Sequence, residues 1–184
     1  MGRRAPTITI TFVKGDGQRY RSIVRRRDGV VVELDGGGYN QVGGPARRIP
    51  HDLAHAVVED ALGLDSGLWG VIVAGGMFAH TTVVAGRRPP HADRRAQAVV
   101  DGAGDRLAQA EVVVRAVADL SLAGRDRDTA GLVAATGPRW RPDGLTAEAL
   151  GVACRRLRAD GERWAALGPQ GTLELDWRLP EPRR

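Results

Sequence analysis

Two segments at opposite ends of the chain alternate apolar and polar residues without a fault, and strands of that kind do not stand alone. "TITITFV", 7–13, sets Ile8, Ile10 and Phe12 on one face and threonines on the other. "TLELDWRL", 172–179, sets Leu173, Leu175, Trp177 and Leu179 against Thr172, Glu174, Asp176 and Arg178. A period of two marks a strand buried on one side. Such a strand needs neighbours to be stable. The economical arrangement pairs the last strand with the first, which ties both ends of the 184-residue chain into one sheet. It predicts one domain over 1–184 rather than two.

Further strands follow the first. The turn "GDG" leads to "QRYRSIVR", 18–25, and "RDG" at 27–29 leads to "VVVEL", 30–34, so 7–34 reads as a β-meander. The glycine-rich "DGGGYNQVGGPARR", 35–48, matches neither the P-loop nor the dinucleotide fingerprint. It reads as a linker or as a flap over the next helix.

Residues 50–168 read as the helical part. Pro50 suits a first helical position, Asp52 sits favourably in the first turn, and Gly63 suits a C-cap. A second helix is expected over 67–79. A third, over about 92–121, carries Val100, Ala103, Leu107, Ala110, Val114 and Val117 at helical spacing. Thr146 caps a fourth, lined by Leu150, Ala153, Leu157, Trp164 and Leu167. The expected class is therefore α+β: a small antiparallel sheet, the meander plus a closing strand at 172–179, packed on about four helices.

Charge and cysteine usage narrow the function classes. The net charge is +5, and Lys14 is the only lysine. The arginines come as scattered doublets and triplets, with no basic block, so nucleic-acid or acidic partners are permitted but not indicated. The single Cys154 rules out an intramolecular disulfide, suits a cytoplasmic setting and reads as a small buried hydrophobe. "MGRRAPTITI" lacks the apolar run of a signal peptide. The uncharged stretch 67–86 reaches spanning length, but its glycines, His80 and threonines favour a buried helix followed by a short strand or loop, and no membrane partner is expected.

One cluster can carry chemistry. In "RRIPHDLAHAVVEDALGL", 47–64, His51 and His55 are four apart and project from one helix face. That is the spacing with which a helix supplies two ligands to a metal. At 100° per residue, His51, His55, Glu59 and Asp52 fall at about 0°, 40°, 80° and 100°, beside the apolar arc of Leu53, Ala54, Val57, Val58 and Ala61. His51, His55 and Glu59 are the expected metal ligands, for Zn²⁺ or another divalent ion. Asp52 and Glu59 are the expected catalytic carboxylates. The plainer reading makes the same arc the wet side of an ordinary helix.

His51-Asp52-x-x-His55 resembles the His-Glu-x-x-His motif of zincin metallopeptidases, with Asp52 in the glutamate position. The resemblance implies zinc on His51 and His55 and water activation by Asp52. The same residues are similar to the His-Asp-x-x-His motif of a ubiquinone-biosynthesis family, which has a glutamate where this chain has Gly67. "IPHDLAHAVVEDALGLDSGLWG" resembles a segment of a family of uncharacterised actinobacterial proteins, over about residues 5–85; it implies no activity.

Elsewhere the signals are thinner. His80 can complete a site if the second helix folds back on the first, and His91 reads as exposed. Trp140, flanked by arginines, can stack on a base. No Gly-x-Ser-x-Gly elbow is present. The leading expectation is a small metal-dependent hydrolase or lyase acting on a small molecule or peptide. The alternative is a non-enzymatic interaction protein that binds nucleic acid or an acidic partner through its arginines.

Overall fold

The computed structural model describes residues 6–37, 41–42 and 49–179. The fold is α+β. Strands β1 (Thr7–Lys14), β2 (Tyr20–Arg25) and β3 (Val31–Gly37) form the meander, and β7 (Thr172–Arg178) closes it. β7 pairs antiparallel with β1, from Thr7 opposite Arg178 to Val13 opposite Thr172, so the two alternating segments do meet. A fifth strand, β6 (Thr81–Ala85), joins beyond β3, giving the order β6-β3-β2-β1-β7. All four pairings are antiparallel. A two-residue ladder of β4 (Gln41–Val42) with β5 (Ile49–Pro50) leads into the first helix. Most of the glycine-rich stretch 35–48, read as a linker or flap, lies outside the described residues.

Helix α1 (His51–Leu62) starts after Pro50 and ends on Gly63, whose φ of 68° is the left-handed cap that glycine accepts without steric cost. It packs against α2 (Leu68–Val73), α4 (Asp105–Leu122), α6 (Ala147–Ala166) and β7. Every residue from Asp52 to Asp60 is buried. The helix is thus a central element, and its polar arc is not a wet side. Below it, Ile10, Phe12, Val32 and Leu34 fill the inner face of the sheet. Phe12 meets Trp69 of α2 edge to face, with ring centroids 5.9 Å apart, a geometry worth about 1 kcal/mol beyond area burial. Lys14 reaches from β1 to the end of α6, donating to the carbonyls of Trp164 at 3.0 Å and Leu167 at 2.7 Å. A cation at a helix C-terminus is favourable.

The helices differ from expectation in three places. The second ends at Val73 rather than near 79, because Gly75 turns at φ 110° and Gly76 packs so tightly on Val71 that a Cβ would lie 2.4 Å from it. The single helix expected over 92–121 is two, α3 (Ala92–Ala103) and α4, broken at Gly104 (φ 49°, ψ −132°). The break uses one residue, so the apolar stripe runs on across it and conceals it. A further helix, α5 (Thr129–Thr136), forms where none was expected: Asp128 caps it, accepting from the Gly131 N–H at 2.7 Å. There are six α-helices among the described residues, not about four. The helix capped by Thr146 forms as expected. No helix among the described residues is long and apolar enough to cross a membrane.

Candidate metal centre

The first two turns of α1 bring His51 above His55, with ring centroids 4.3 Å apart. Both rings turn the same way. Each Nδ1 faces a carboxylate behind it: His51 Nδ1 lies 3.3 Å from Asp52 Oδ1, and His55 Nδ1 lies 2.8 Å from Glu59 Oε1. Each Nε2 faces outward to the same oxygen of Glu111, on α4. His51 Nε2 is 3.1 Å from Glu111 Oε2, and His55 Nε2 is 3.4 Å from it. The second approach is off the hydrogen-bonding direction, and His55 Nε2, fully buried, is otherwise without a partner. A buried polar atom left unmatched is uncommon and asks for an explanation.

The backing carboxylates are themselves held. Asp52 Oδ2 accepts from the Ser22 hydroxyl at 2.9 Å. The Tyr20 phenol also bonds to Asp52, and its pKa is driven up by burial and by the Asp52 charge. Its ring lies where a side chain on residue 36 would be: a Cβ on Gly36 would come within 2.1 Å of it. Glu59 is held more tightly. Its Oε1 accepts from the Leu68 N–H at 2.7 Å and its Oε2 from the Trp69 N–H at 3.0 Å, so it satisfies two donors of α2. Gly67 makes this contact sterically feasible, since a Cβ there would lie 2.3 Å from Glu59 Oε1. The Trp69 indole returns to α1, donating to the Asp52 carbonyl at 2.8 Å.

The charges are coupled. Burial works against the His55 imidazolium, but Glu111 and Glu59 outweigh it and raise the pKa to about 9. His51 is likewise raised, by Asp52 and then Glu111, against its burial. The two imidazoles hold the Glu111 carboxyl far below the usual range. Protons therefore occupy this site readily, and a metal would have to displace them.

The donor set fits a divalent ion. His51, His55 and Glu111 each offer one ligand atom, all within 4.8 Å of one another. Tetrahedral zinc with bonds of about 2.0–2.1 Å separates its ligands by about 3.3 Å. The two N···O distances, 3.1 and 3.4 Å, lie on either side of that value. The paired Nδ1–carboxylate contacts are of the kind that fix a histidine's tautomer when its other nitrogen binds a metal. Exposure is graded: the His55 side chain is 0% exposed, His51 17% and Glu111 49%. The group opens outward past Glu111.

The expected site residues therefore divide. His51 and His55 converge on one point. Asp52 and Glu59 stand behind them, committed to Ser22, Tyr20 and α2, and the carboxylate at the point of convergence is Glu111. Sixty residues separate Glu111 from His51, so no local motif contains it. Its one trace in the sequence is an acid beside the Ala110–Val114 stripe. His80 is exposed and its ring stacks on Phe78; His91 is exposed with φ 57°. Trp140 is covered by the Arg139 guanidinium, 4.5 Å from its ring centre. The Cys154 thiol is pushed up to about 11 by burial. No family model, curated protein or solved structure matches this chain.

Proposed function

We propose that the chain is a metal-dependent enzyme of the hydrolase or lyase class, holding one divalent ion, Zn²⁺ in the first instance, on His51 Nε2, His55 Nε2 and Glu111. The observation that carries this reading is the shared orientation of the two rings. Both turn Nδ1 to a fixed carboxylate and Nε2 to one oxygen, which leaves the buried Nε2 of His55 without a hydrogen-bond partner. Three protein ligands with a fourth position facing outward is the pattern of catalytic rather than structural zinc. Bound there, the ion would lower the pKa of a coordinated water towards neutrality. Asp52 and Glu59, expected as catalytic carboxylates, act in this reading as orienting groups: they set the tautomer of each ligand. The substrate is a small molecule or peptide able to approach past Glu111.

Elemental analysis of the purified protein tests it. Near-stoichiometric metal is expected, lost in His51→Ala/His55→Ala and in Glu111→Ala. A wild type that stays metal-free after reconstitution with Zn²⁺, Mn²⁺ and Fe²⁺ would end the proposal.

A further inference from the structure

Many arginines of this fold are held by carboxylates: Arg26 by Asp28, Arg156 and Arg178 by Asp60, Arg158 by Asp126. One end of the sheet departs from that pattern. After β6, Gly86 turns at φ 88°, where a Cβ would lie 2.6 Å from the Gly29 carbonyl oxygen. The chain therefore leaves the sheet pressed against the β2–β3 turn. Arg87 and Arg88 follow at the end of the sheet that also carries Arg25, paired with Val31 as Ala85 is from the other side, and Arg27 of the β2–β3 turn. Arg88 then pairs with Asp93 at 2.5 Å, which draws in the first turns of α3 with Arg94 and Arg95.

Arg25, Arg27, Arg87, Arg94 and Arg95 are all exposed. Among the described residues none of the five has a carboxylate partner; the acids in these two segments, Asp28 and Asp93, are taken by Arg26 and Arg88. Arg94 and Arg95 also sit near the positive end of the α3 dipole, where cations are unfavourable. The fold thus gathers uncompensated positive charge at one place, and an anion would relieve it.

We propose that this end of the sheet binds double-stranded nucleic acid through its phosphate backbone, without reading bases. The guanidinium fork matches phosphate oxygens two at a time. Two strand spacings separate β2 from β6, roughly 10 Å. With one charge per about 3.4 Å along each strand of a duplex, that span faces about three phosphates. Residues 25–29 and 86–95 contain no Phe, Tyr or Trp on which single-stranded bases could stack. They also carry no large apolar residue to anchor in lipid. This site shares no residue with the metal centre and does not depend on it.

Fluorescence anisotropy with a labelled mixed-sequence DNA duplex, in chelator, tests the proposal. Wild type is expected to bind at low salt and to weaken steeply as salt rises. Arg27→Gln/Arg87→Gln/Arg94→Gln should bind at least about tenfold more weakly, with a salt slope shallower by about 2–3. Arg127→Gln/Arg141→Gln/Arg155→Gln removes the same charge from exposed arginines elsewhere and should keep the slope. Equal losses in the two variants would show that net charge alone is at work and overturn the site. So would no binding at low salt, or tighter binding to the single strand or to anionic phospholipid vesicles. Thermal midpoints verify folding, and Arg87→Gln alone, with a smaller loss in the same direction, serves if the triple variant unfolds.

Discussion

Asp60 and the two histidines of the His51–His55–Glu111 group lie on the same helix, little more than a turn apart at their nearest, and each cluster gathers opposite charges. Asp60 is complete. Its Oδ1 takes the Arg178 backbone N–H and Nε, both at 3.0 Å, its Oδ2 takes Arg156 Nη1 at 2.5 Å, and its carbonyl takes Arg178 Nη2 at 2.5 Å. Every acceptor is matched, and the knot joins α1 to α6 and to the edge of β7. The histidine group is complete only on its inner side. Behind the rings every carboxylate is engaged; in front, His55 Nε2 has no bond and Glu111 reaches half into solvent. A purely structural ion cluster satisfies itself, as Asp60 does, because an unmatched buried polar group is costly. The histidine group stops short on a single side, where His55 Nε2 and the Glu111 carboxylate are turned.

The largest effect that tests this contrast is on Glu59, the inner wall of the open site. Glu59→Ala strands the His55 Nδ1 and the Leu68 and Trp69 N–H groups in a buried place. It should cost about 3–5 kcal/mol by denaturant unfolding. A loss under about 1 kcal/mol would mean that Glu59 does not join α1 to α2.

Metal comes next. Saturating Zn²⁺ at a hundred times its Kd should stabilise the wild type by about 2.7 kcal/mol, and should leave His51→Ala/His55→Ala unmoved. The pH dependence separates the two states of the site. Without metal, the raised pKa of His55 contributes stability that is full below its ordinary value of about 6.5 and is lost as pH rises through about 9. With metal, ligands must shed protons, so stabilisation grows as pH rises over the same window. Thermal midpoints of the two forms should therefore diverge from pH 6.5 to 9, and parallel curves would contradict an exchange of protons for metal.

The closed cluster should behave differently. Asp60→Asn should cost about 2 kcal/mol, since it removes charge-assisted bonds, and metal should have no bearing on the loss. Burial raises the pKa of Asp60, but Arg156 and Arg178 more than offset it and leave it lowered. Its contribution is therefore present above the ordinary carboxylate value and fades as pH falls through the lower folded one. Wild type should lose its advantage over Asp60→Asn on acidification below about pH 4, the reverse of the slope at His55.

Local patterns in the sequence carried four of the five strands of the sheet, all but β6, and half of the site. The alternation at 7–13 and 172–179 is met most economically by pairing the two segments, as they are paired here, and the i, i+4 histidines place their own rings. What a one-dimensional pattern does not carry is which faces become buried at once. Because α1 packs between sheet and helices, its ligand arc lost water along with its apolar arc, and Asp52 and Glu59 were drawn to partners behind the histidines. Glu111 comes from α4, across a packing contact that no spacing in the sequence encodes. The Gly104 break was hidden for a related reason, since a one-residue interruption leaves the apolar period almost in phase.

The smallest effect concerns the outermost support of the open site. Ser22→Ala removes one neutral donor from Asp52, two contacts away from any metal. It should lower stability by only about 1 kcal/mol. Its influence on metal should be larger in proportion, because Asp52, held by Tyr20 without Ser22, fixes the His51 ring less firmly, and outer contacts of this kind are worth about 10–100-fold in metal affinity. Titration calorimetry with Zn²⁺ on Ser22→Ala and Asp60→Asn makes the comparison direct. The serine variant should lose more affinity and less stability than the aspartate variant. The opposite order would make the Asp52 side of the histidine group one more closed structural cluster, like the one at Asp60.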